Sequence, residues 1–272
     1  MTEVHARTEA LARLRDRIAR IESCHGDGMP RRRAAALDHG EMDAVLQGGL
    51  SRGVVHEVFA EGRHGAAATG FIAGLAQRVC VKRPLLWVRQ DFAARESGVL
   101  SMCGWRELGL DPRLLVMVHV PDAESALRTA SDALACDALG AVVMEIWGET
   151  RLFDLVASRR LTLAARHSGV TGLLLRVAAT PLPSTAETRW IVRPAASRPC
   201  AAWQAWGAPV FETRLVRNRH GQTGQWIMEW KCDEGLFRNV SGFGPQTHPQ
   251  PVAAAPAGRP HPAQAVSLRR AG

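Results

Sequence analysis

The chain has 272 residues, 46% of them hydrophobic, and a formal net charge of +8. This length and composition suffice for one α/β domain of roughly 200 residues with flanking extensions. No apolar run approaches the ~18 residues that a membrane span requires, and the N-terminus MTEVHARTEALARLRD is charged where a secretory signal would be apolar. The sequence therefore predicts a cytoplasmic protein that does not enter a membrane.

The positive charge is unevenly distributed along the chain. Residues 1–33, 181–240 and 241–272 each carry a net charge of +3, whereas residues 34–180 carry −1. A surface that tracks a phosphate backbone needs an excess of basic side chains. We therefore expect contact with DNA to be weak or indirect, and to be made by the flanking segments.

The six cysteines and ten histidines are scattered, with neither a CxxC pair nor an HExxH motif. Zinc sites in proteins use closely spaced ligand pairs of this kind. The sequence predicts reduced, structural thiols and no metal site.

Residues 8–22, TEALARLRDRIARIE, form the first predicted element. Four aliphatic residues at three- and four-residue steps make one apolar stripe on a charged helix: Leu11, Leu14, Ile18 and Ile21. Glycines, a proline and three arginines then end the helix, so residues 1–33 are predicted to be a separate segment. The stripe packs either on the chain's own core or, as a helix in a groove, on another subunit or protein. The linker favours the second.

Apolar, strand-like segments then alternate with amphipathic helices up to about residue 180. In chain order these segments are VVHEVF, TGFIAGLAQRVC, PLLWVRQ, LLVMVHV, SALRTASDALAC, GAVVMEIWG, FDLVASRRLTLAARHS and VTGLLLRV. Nearly continuous apolar strands separated by helices predict a mostly parallel sheet that is covered on both faces. The predicted fold class is α/β.

The C-terminal third changes in character. The runs VFETRLVRNR and QWIMEWKC flank the turn HGQTG, which predicts an antiparallel hairpin. Residues 241–272 are rich in Pro, Ala and Gly and are predicted to be a disordered tail. The central domain is therefore expected to span residues 34–240.

The loop after the first strand, EGRHGAAATG, lies where an ATPase binds phosphate. Such a loop needs small residues, a lysine and a Ser or Thr hydroxyl that holds magnesium. Gly62 and Gly65 preserve part of the turn, but Ala66 and Ala67 occupy the lysine and hydroxyl positions. The sequence predicts no ATP hydrolysis and no bound cofactor. A tight turn between strand and helix explains the glycines equally well.

Other residues near this loop do not restore the missing chemistry. Thr69 comes two positions late, although Arg63 could contact an anion. Glu145 ends a predicted strand, and Asp91 and Glu96 follow another, where ATPases place acidic residues that act on water or on a magnesium-bound water. Without a metal ligand in the loop, we expect these acids to be cap or solvated turn residues.

The order of these segments resembles the RecA-type ATPase fold. More narrowly, LLWVRQDFAARESG, ALGAVVMEIWG, LVASRRLTLAARHSGVTGLLLR, ETRW and LVRNRHGQTGQWIMEW resemble the ImuA family of inducible-mutagenesis accessory proteins across residues 34–240. The resemblance implies a RecA-like core without an intact ATP site. It also implies work in damage-induced translesion synthesis with an inactive Y-family polymerase homologue and an error-prone replicative-type polymerase.

The segment LVRNRHGQTG is similar to a turn of hexameric RecA-like helicases whose basic pair reaches a neighbouring subunit's nucleotide. Arg217 and Arg219 match that pair, and residues two apart on a strand share a face. The resemblance implies a contact in trans, for example with a RecA recombinase subunit. The alternative is a basic strand edge that only prevents edge-to-edge pairing, and the two interpretations carry equal weight.

The sequence thus predicts a non-catalytic accessory protein of mutagenic DNA repair. A regulator resembling SOS-type cell-division inhibitors and an active ATP-dependent DNA-binding enzyme are the alternatives. The hairpin favours repair over the regulator, and Ala66 and Ala67 oppose the enzyme. Self-association stays open. Five tryptophans near the hairpin are predicted to be core residues: Trp190, Trp203, Trp206, Trp226 and Trp230.

Overall fold

The computed structural model describes residues 34–198 and 207–240. The predicted N-terminal helix within residues 1–33 and the predicted tail, residues 241–272, lie outside the described residues. The helices are α1 Gly40–Val45, α2 Gly65–Cys80, α3 Asp91–Ser97, α4 Met102–Glu107, α5 Ala123–Leu134 and α6 Leu155–Ser168. The strands are β1 Ala34–Ala35, β2 Leu50–Ser51, β3 Val55–Ala60, β4 Leu85–Gln90, β5 Leu115–Val120, β6 Ala141–Trp147, β7 Thr171–Val177, β8 Thr188–Ala195, β9 Val210–Asn218, β10 Gly224–Lys231 and β11 Leu236–Asn239.

Nine strands form one sheet in the order β5-β4-β6-β7-β3-β8-β9-β10-β11, and β1 and β2 make a separate antiparallel pair. Six of these strands are parallel: β5, β4, β6, β7, β3 and β8. The strands β9, β10 and β11 extend the sheet with antiparallel pairing. The predicted α/β class, with a mostly parallel sheet flanked by helices and a C-terminal hairpin of β9 and β10, is confirmed. Strand β8, which the alternating pattern did not predict, links the parallel and antiparallel parts.

The sheet has a hydrophobic layer on each face. Helix α2 packs on one face, in a layer that includes side chains of the antiparallel strands. Helices α5 and α6 pack on the other face. Every residue of β3 and β7 is buried, as expected for strands covered on both sides. Among the described tryptophans near the hairpin, Trp190, Trp226 and Trp230 are buried, which confirms the core prediction for these three. Trp203 and Trp206 lie outside the described residues.

The two ends of the parallel strands define two edges of the sheet. The carboxyl edge bears the turn after β3. The amino edge bears the β9–β10 turn, because Asn218 at the end of β9 pairs with Thr188 at the start of β8, which runs parallel to β3. Six strand residues at ~3.3 Å each place the two turns roughly 20 Å apart.

A buried hydrogen-bond chain ties the amino edge together. The Nε2 atom of His56 lies 2.8 Å from the carbonyl oxygen of Ser51, and its Nδ1 lies 2.8 Å from Thr188 Oγ1. A carbonyl oxygen only accepts, so Nε2 carries the proton and Nδ1 accepts from the threonine hydroxyl. Thr188 in turn accepts from Trp190 Nε1. In this hydrogen-bond chain His56 is neutral, and burial lowers the pKa of its imidazole accordingly.

Among the described residues, no helix combines the length and the apolar character that crossing a membrane would require. The four described cysteines, Cys80, Cys103, Cys136 and Cys232, are all free thiols. Burial raises the pKa of Cys80 to about 12, so this thiol stays protonated and unreactive at neutral pH.

Candidate functional site

The turn after β3 is short. A single 3-10 turn, Gly62–His64, leads directly into α2. Neither Gly62 nor Gly65 has a positive φ, so the backbone conformation by itself does not require glycine at either position. Neighbouring side chains lie close to both glycines.

The indole of Trp147, the last residue of β6, lies beside both glycines. A Cβ atom placed on Gly62 would lie 3.4 Å from Trp147 Cζ2. A Cβ on Gly65 would lie 3.3 Å from Val177 Cγ1 and 3.7 Å from Trp147 Cζ3. The glycines therefore pack against protein side chains, and we call residues 62–65, with Trp147 packed against them, the closed turn.

The position of this indole matters because of the topology. The turn after β3 leads to α2 on one face of the sheet, while the connection after β6 leads to α6 on the other. Open α/β sheets bind ligands outside the carboxyl ends of their strands, in the crevice between connections that leave on opposite faces, and here only β7 separates β3 from β6. In this chain Trp147 lies against the turn at that point.

The two alanines of the turn lie at the start of α2. Ala66 is exposed beside a cleft of about 840 Å³, and Ala67 packs against the core. Methyl groups supply neither the positive charge nor the hydroxyl ligand of a phosphate loop. Thr69, two positions late in the sequence, also lines the cleft.

The charged residues lining this cleft are poorly suited to phosphate. Three carboxylates line it, from Glu107, Glu229 and Asp233. Its two basic side chains are already paired: Lys231 Nζ lies 2.8 Å from Glu229 Oε2, and Arg89 Nε lies 3.1 Å from Glu145 Oε2. The acidic lining therefore repels an anionic ligand.

Glu145 is neither a cap nor a solvated turn residue, so the sequence-based expectation for it was wrong. The residue is 1% exposed, and its Oε2 accepts a hydrogen bond from Trp87 Nε1 at 2.9 Å. Burial raises the pKa of Glu145 above its usual value, and the Arg89 guanidinium and the Trp87 hydrogen bond offset part of this rise. The predicted burial of this strand therefore extends to Glu145, and Arg89 and Trp87 of β4 supply the partners that a buried carboxylate needs.

The acids that follow β4 lie at the surface. Asp91 is the first residue of α3 and half exposed, with Oδ1 4.0 Å from His119 Nδ1, and Glu96 is exposed. Arg63 is also solvent-facing and lies 3.0 Å from Glu61. Within the described residues, no group of three or more His, Cys, Asp or Glu side chains is placed to hold a metal ion.

The second candidate region, the β9–β10 turn, is at the opposite edge of the sheet. Arg217 is half-buried and its Nη1 donates a 2.7 Å hydrogen bond to the carbonyl of Ser184. Strand β9 ends at Asn218, so Arg219 belongs to the turn and is exposed. The two arginines are close in space, but only Arg219 presents its side chain freely to a partner.

The turn itself is anchored to the domain. Asn218 Nδ2 donates to the carbonyls of Gln222 and Val45, each at 3.1 Å. Gln47 Nε2 donates to the carbonyl of His220 at 2.7 Å, and His220 Nε2 lies 2.8 Å from Glu187 Oε1. These contacts hold the turn against the segment that follows α1, so Arg219 extends from an anchored turn.

Sequence reasoning did not identify Trp147. The only indication was a tryptophan two positions after Glu145, in the segment GAVVMEIWG. Sequence reasoning also missed the buried ion pair of Glu57 and Arg189. In this pair Arg189 Nε lies 2.7 Å from Glu57 Oε2. Both depend on which strands become neighbours in the sheet.

The four predicted stripe residues Leu11, Leu14, Ile18 and Ile21 lie outside the described residues, so their proposed contact stays a prediction. The predicted partner-binding arginines lie in the hairpin, and the predicted loop residues lie in the closed turn and at the start of α2.

No protein-family model matches this chain. Two curated relatives do: Protein ImuA from Caulobacter vibrioides strain NA1000 / CB15N, and the same protein from strain ATCC 19089 / CIP 103742 / CB 15. Each is 31% identical over 230 residues, which cover 78% of this chain and 88% of the relative. The aligned length and identity show that the chain belongs to the ImuA family.

Proposed function

We propose that this chain is a non-catalytic accessory protein of damage-induced, error-prone translesion DNA synthesis, which acts in the cytoplasm through protein contacts. Membership of the ImuA family supports the pathway. The inactive Y-family polymerase homologue and the error-prone replicative-type polymerase implied by the resemblance are the proposed partners, with RecA recombinase as a third.

The observation that carries the non-catalytic role is the closed turn after β3. Trp147 packs on Gly62 and Gly65, and the adjoining cleft has an acidic lining. Glu145, at the position of a strand-end acid, is held by Arg89 and Trp87. Nucleotide hydrolysis would need a cation and a metal ligand at this turn. Ala66 and Ala67 supply neither, and the strand-end carboxylate of Glu145 is already engaged.

The test places an acid beside the turn. Ala66 is exposed at the cleft, so Ala66→Asp is sterically tolerated, whereas an aspartate at Gly65 would press on Val177 and confound function with folding. In an enzyme that binds a nucleoside triphosphate, this negative charge would abolish activity. In an accessory protein, mutation frequency after ultraviolet damage should stay at the wild-type level in a deletion strain that expresses the variant.

The matched control is Ala138→Asp, the same substitution at an exposed position away from the turn. Loss of induced mutagenesis by Ala66→Asp alone, together with magnesium-dependent ATP turnover by the purified wild type, would establish the active-enzyme alternative. Filamentous growth on overexpression with unchanged induced mutation frequency would establish the division-inhibitor alternative.

The hairpin turn is the proposed contact for a partner subunit. It lies about 20 Å from the closed turn of its own domain, by strand length, so its arginines cannot serve that turn. Arg219 is exposed on an anchored support, as a contact in trans requires.

DNA contact is proposed to be weak and carried by the flanks. Residues 34–180 have a net charge of −1, and the excess positive charge lies in residues 1–33 and 181–272. Removal of residues 1–33 and 241–272 should abolish most of the salt-sensitive binding of a fluorescent single-stranded oligonucleotide. Retention of tight binding by the truncated chain would show that the central domain carries the nucleic-acid surface.

A further inference from the structure

The outward face of α6 is unusually apolar for an exposed helix. Leu155, Val156 and Leu163 are 54%, 59% and 54% exposed. At 100° per residue these side chains fall within one outward-facing sector, together with Arg159 and Arg160. We call these five residues the α6 surface. Nearby, Leu152 is also 48% exposed, so the apolar area continues beyond the helix N-terminus.

The α6 surface has a positive charge that its own domain does not neutralise. Arg159 and Arg160 are exposed and make no ion pair within the described part of the chain, and α6 contains no acidic residue. The preceding loop adds exposed Arg151.

The acids at the border of this surface are mostly engaged. Asp154 caps the helix by accepting from the backbone nitrogen of Ala157 at 2.7 Å. Glu124, across the groove on α5, lies 3.0 Å from Arg128. Asp132 lines the same groove as Arg160 and is the remaining acid there. The surface thus combines exposed aliphatic side chains with a local excess of arginine.

We propose that the α6 surface is a docking site for an acidic, amphipathic segment of a partner protein. Leucine and valine side chains would bury the apolar stripe of that segment, and Arg151, Arg159 and Arg160 would pair with its carboxylates. The inference rests on the proposed accessory role, since it assigns that role a surface and gives the partner's chemistry.

Three other occupants fit this surface less well. A symmetric contact between two copies would place the unpaired arginines of one copy near those of the other. The predicted N-terminal helix, residues 8–22, carries more arginine than acid and would be repelled. Nucleic acid would gain little from aliphatic side chains, because bases stack on aromatic rings, and the α6 surface has none.

The test uses the full chain and two fluorescein-labelled peptides of about 18 residues, a length sufficient for a helix. One peptide has leucines at helical spacing flanked by glutamates, and the other has lysines in place of the glutamates. We expect the acidic peptide to bind about tenfold or more tightly than the basic one at low salt. Methyl resonances of Leu155, Val156 and Leu163 should shift on its addition.

Two variants test the surface itself. Arg159→Glu with Arg160→Glu should reverse the preference between the peptides, and Leu155→Ser with Leu163→Ser should weaken both. The matched control is Arg95→Glu with Arg106→Glu, which reverses two exposed arginines on α3 and α4. Unchanged melting temperatures would show that the variants fold, as expected for exposed positions.

Equal binding of the acidic peptide by the wild type and the Arg159→Glu, Arg160→Glu variant would overturn the proposal. A dimer in sedimentation that this variant dissociates, or loss of oligonucleotide binding without any change in peptide binding, would also overturn it, in favour of a second copy or of DNA. Induced mutagenesis distinguishes failure of the proposed accessory role from failure of the proposed α6 surface. A chain that binds the peptide through α6 but is dispensable for mutagenesis contradicts the accessory role alone, whereas a reversal variant with normal peptide binding and normal mutagenesis contradicts the surface alone.

Discussion

Arg89 and Glu145 form a buried pair whose two members have unequal support, and this predicts an asymmetry between two substitutions. Arg89 also donates to Gly98 O at 2.7 Å, to Ser97 Oγ at 2.8 Å and to Ala93 O at 3.4 Å. Arg89→Met removes all of these bonds and leaves a buried carboxylate without a cation. Loss of one member of a buried pair costs about 3 to 5 kcal/mol.

Glu145→Gln should be milder. The amide oxygen can still accept from Trp87 Nε1, and Arg89 keeps its three oxygen partners. The charge-assisted contact with Arg89 is lost, but so is the cost of burying an ionised carboxylate, so Glu145→Gln should change the free energy of unfolding by less than about 1 kcal/mol at neutral pH. Urea unfolding followed by tryptophan fluorescence measures both free energies of unfolding, with equal m-values as the check that the two variants unfold in the same way.

The pH dependence gives an independent check. Because burial raises the pKa of Glu145, the folded protein binds a proton at this site more tightly than the unfolded chain does. The ionised carboxylate therefore becomes a growing cost as pH rises above its usual pKa of 4.5. As the pH rises from that value, the wild type should therefore lose stability relative to the Gln variant, whose amide does not titrate. The reasoning is refuted if Glu145→Gln costs as much as Arg89→Met, or if a stable Glu145→Gln protein loses induced mutagenesis.

The remaining predictions concern the two edges of the sheet and the N-terminal segment. Burial lowers the pKa of His56, so the protein should lose stability as pH falls below 6.5, by at most about 1.4 kcal/mol per pH unit from this group, and His56→Gln should remove that part of the slope in acid titrations of unfolding. Arg219→Ala should weaken capture of the partner polymerases and lower induced mutagenesis at unchanged melting temperature, whereas Arg217→Ala should also cost stability, about 1 kcal/mol for its bond to Ser184; normal mutagenesis from both would leave the turn as edge protection. Leu14→Asp with Ile18→Asp should reduce association in sedimentation without lowering the melting temperature, and an insoluble product would place that helix in the core.

The predicted strands follow from local sequence because parallel strands covered on both faces are mostly apolar. VVHEVF and GAVVMEIWG are short, mostly apolar runs, and both form central strands of the sheet. The hairpin was equally predictable, since a glycine-bearing turn between two strand-like runs is a local feature. Strand β8 was missed because its neighbours, β3 and β9, are distant in sequence, and its partly polar pattern resembles a loop.

By itself, the sequence determined which chemical groups are present at the turn after β3. Ala66 and Ala67 exclude a lysine and a hydroxyl at their positions, whatever the fold. Only the tertiary structure decided what packs beside the turn, because Trp147, at the end of β6, lies more than eighty residues from the turn along the chain. The same holds for the burial of Glu145 beside Arg89 and for the placement of the hairpin at the opposite edge. Each depends on strand order and direction, which are set by packing between segments far apart in the chain.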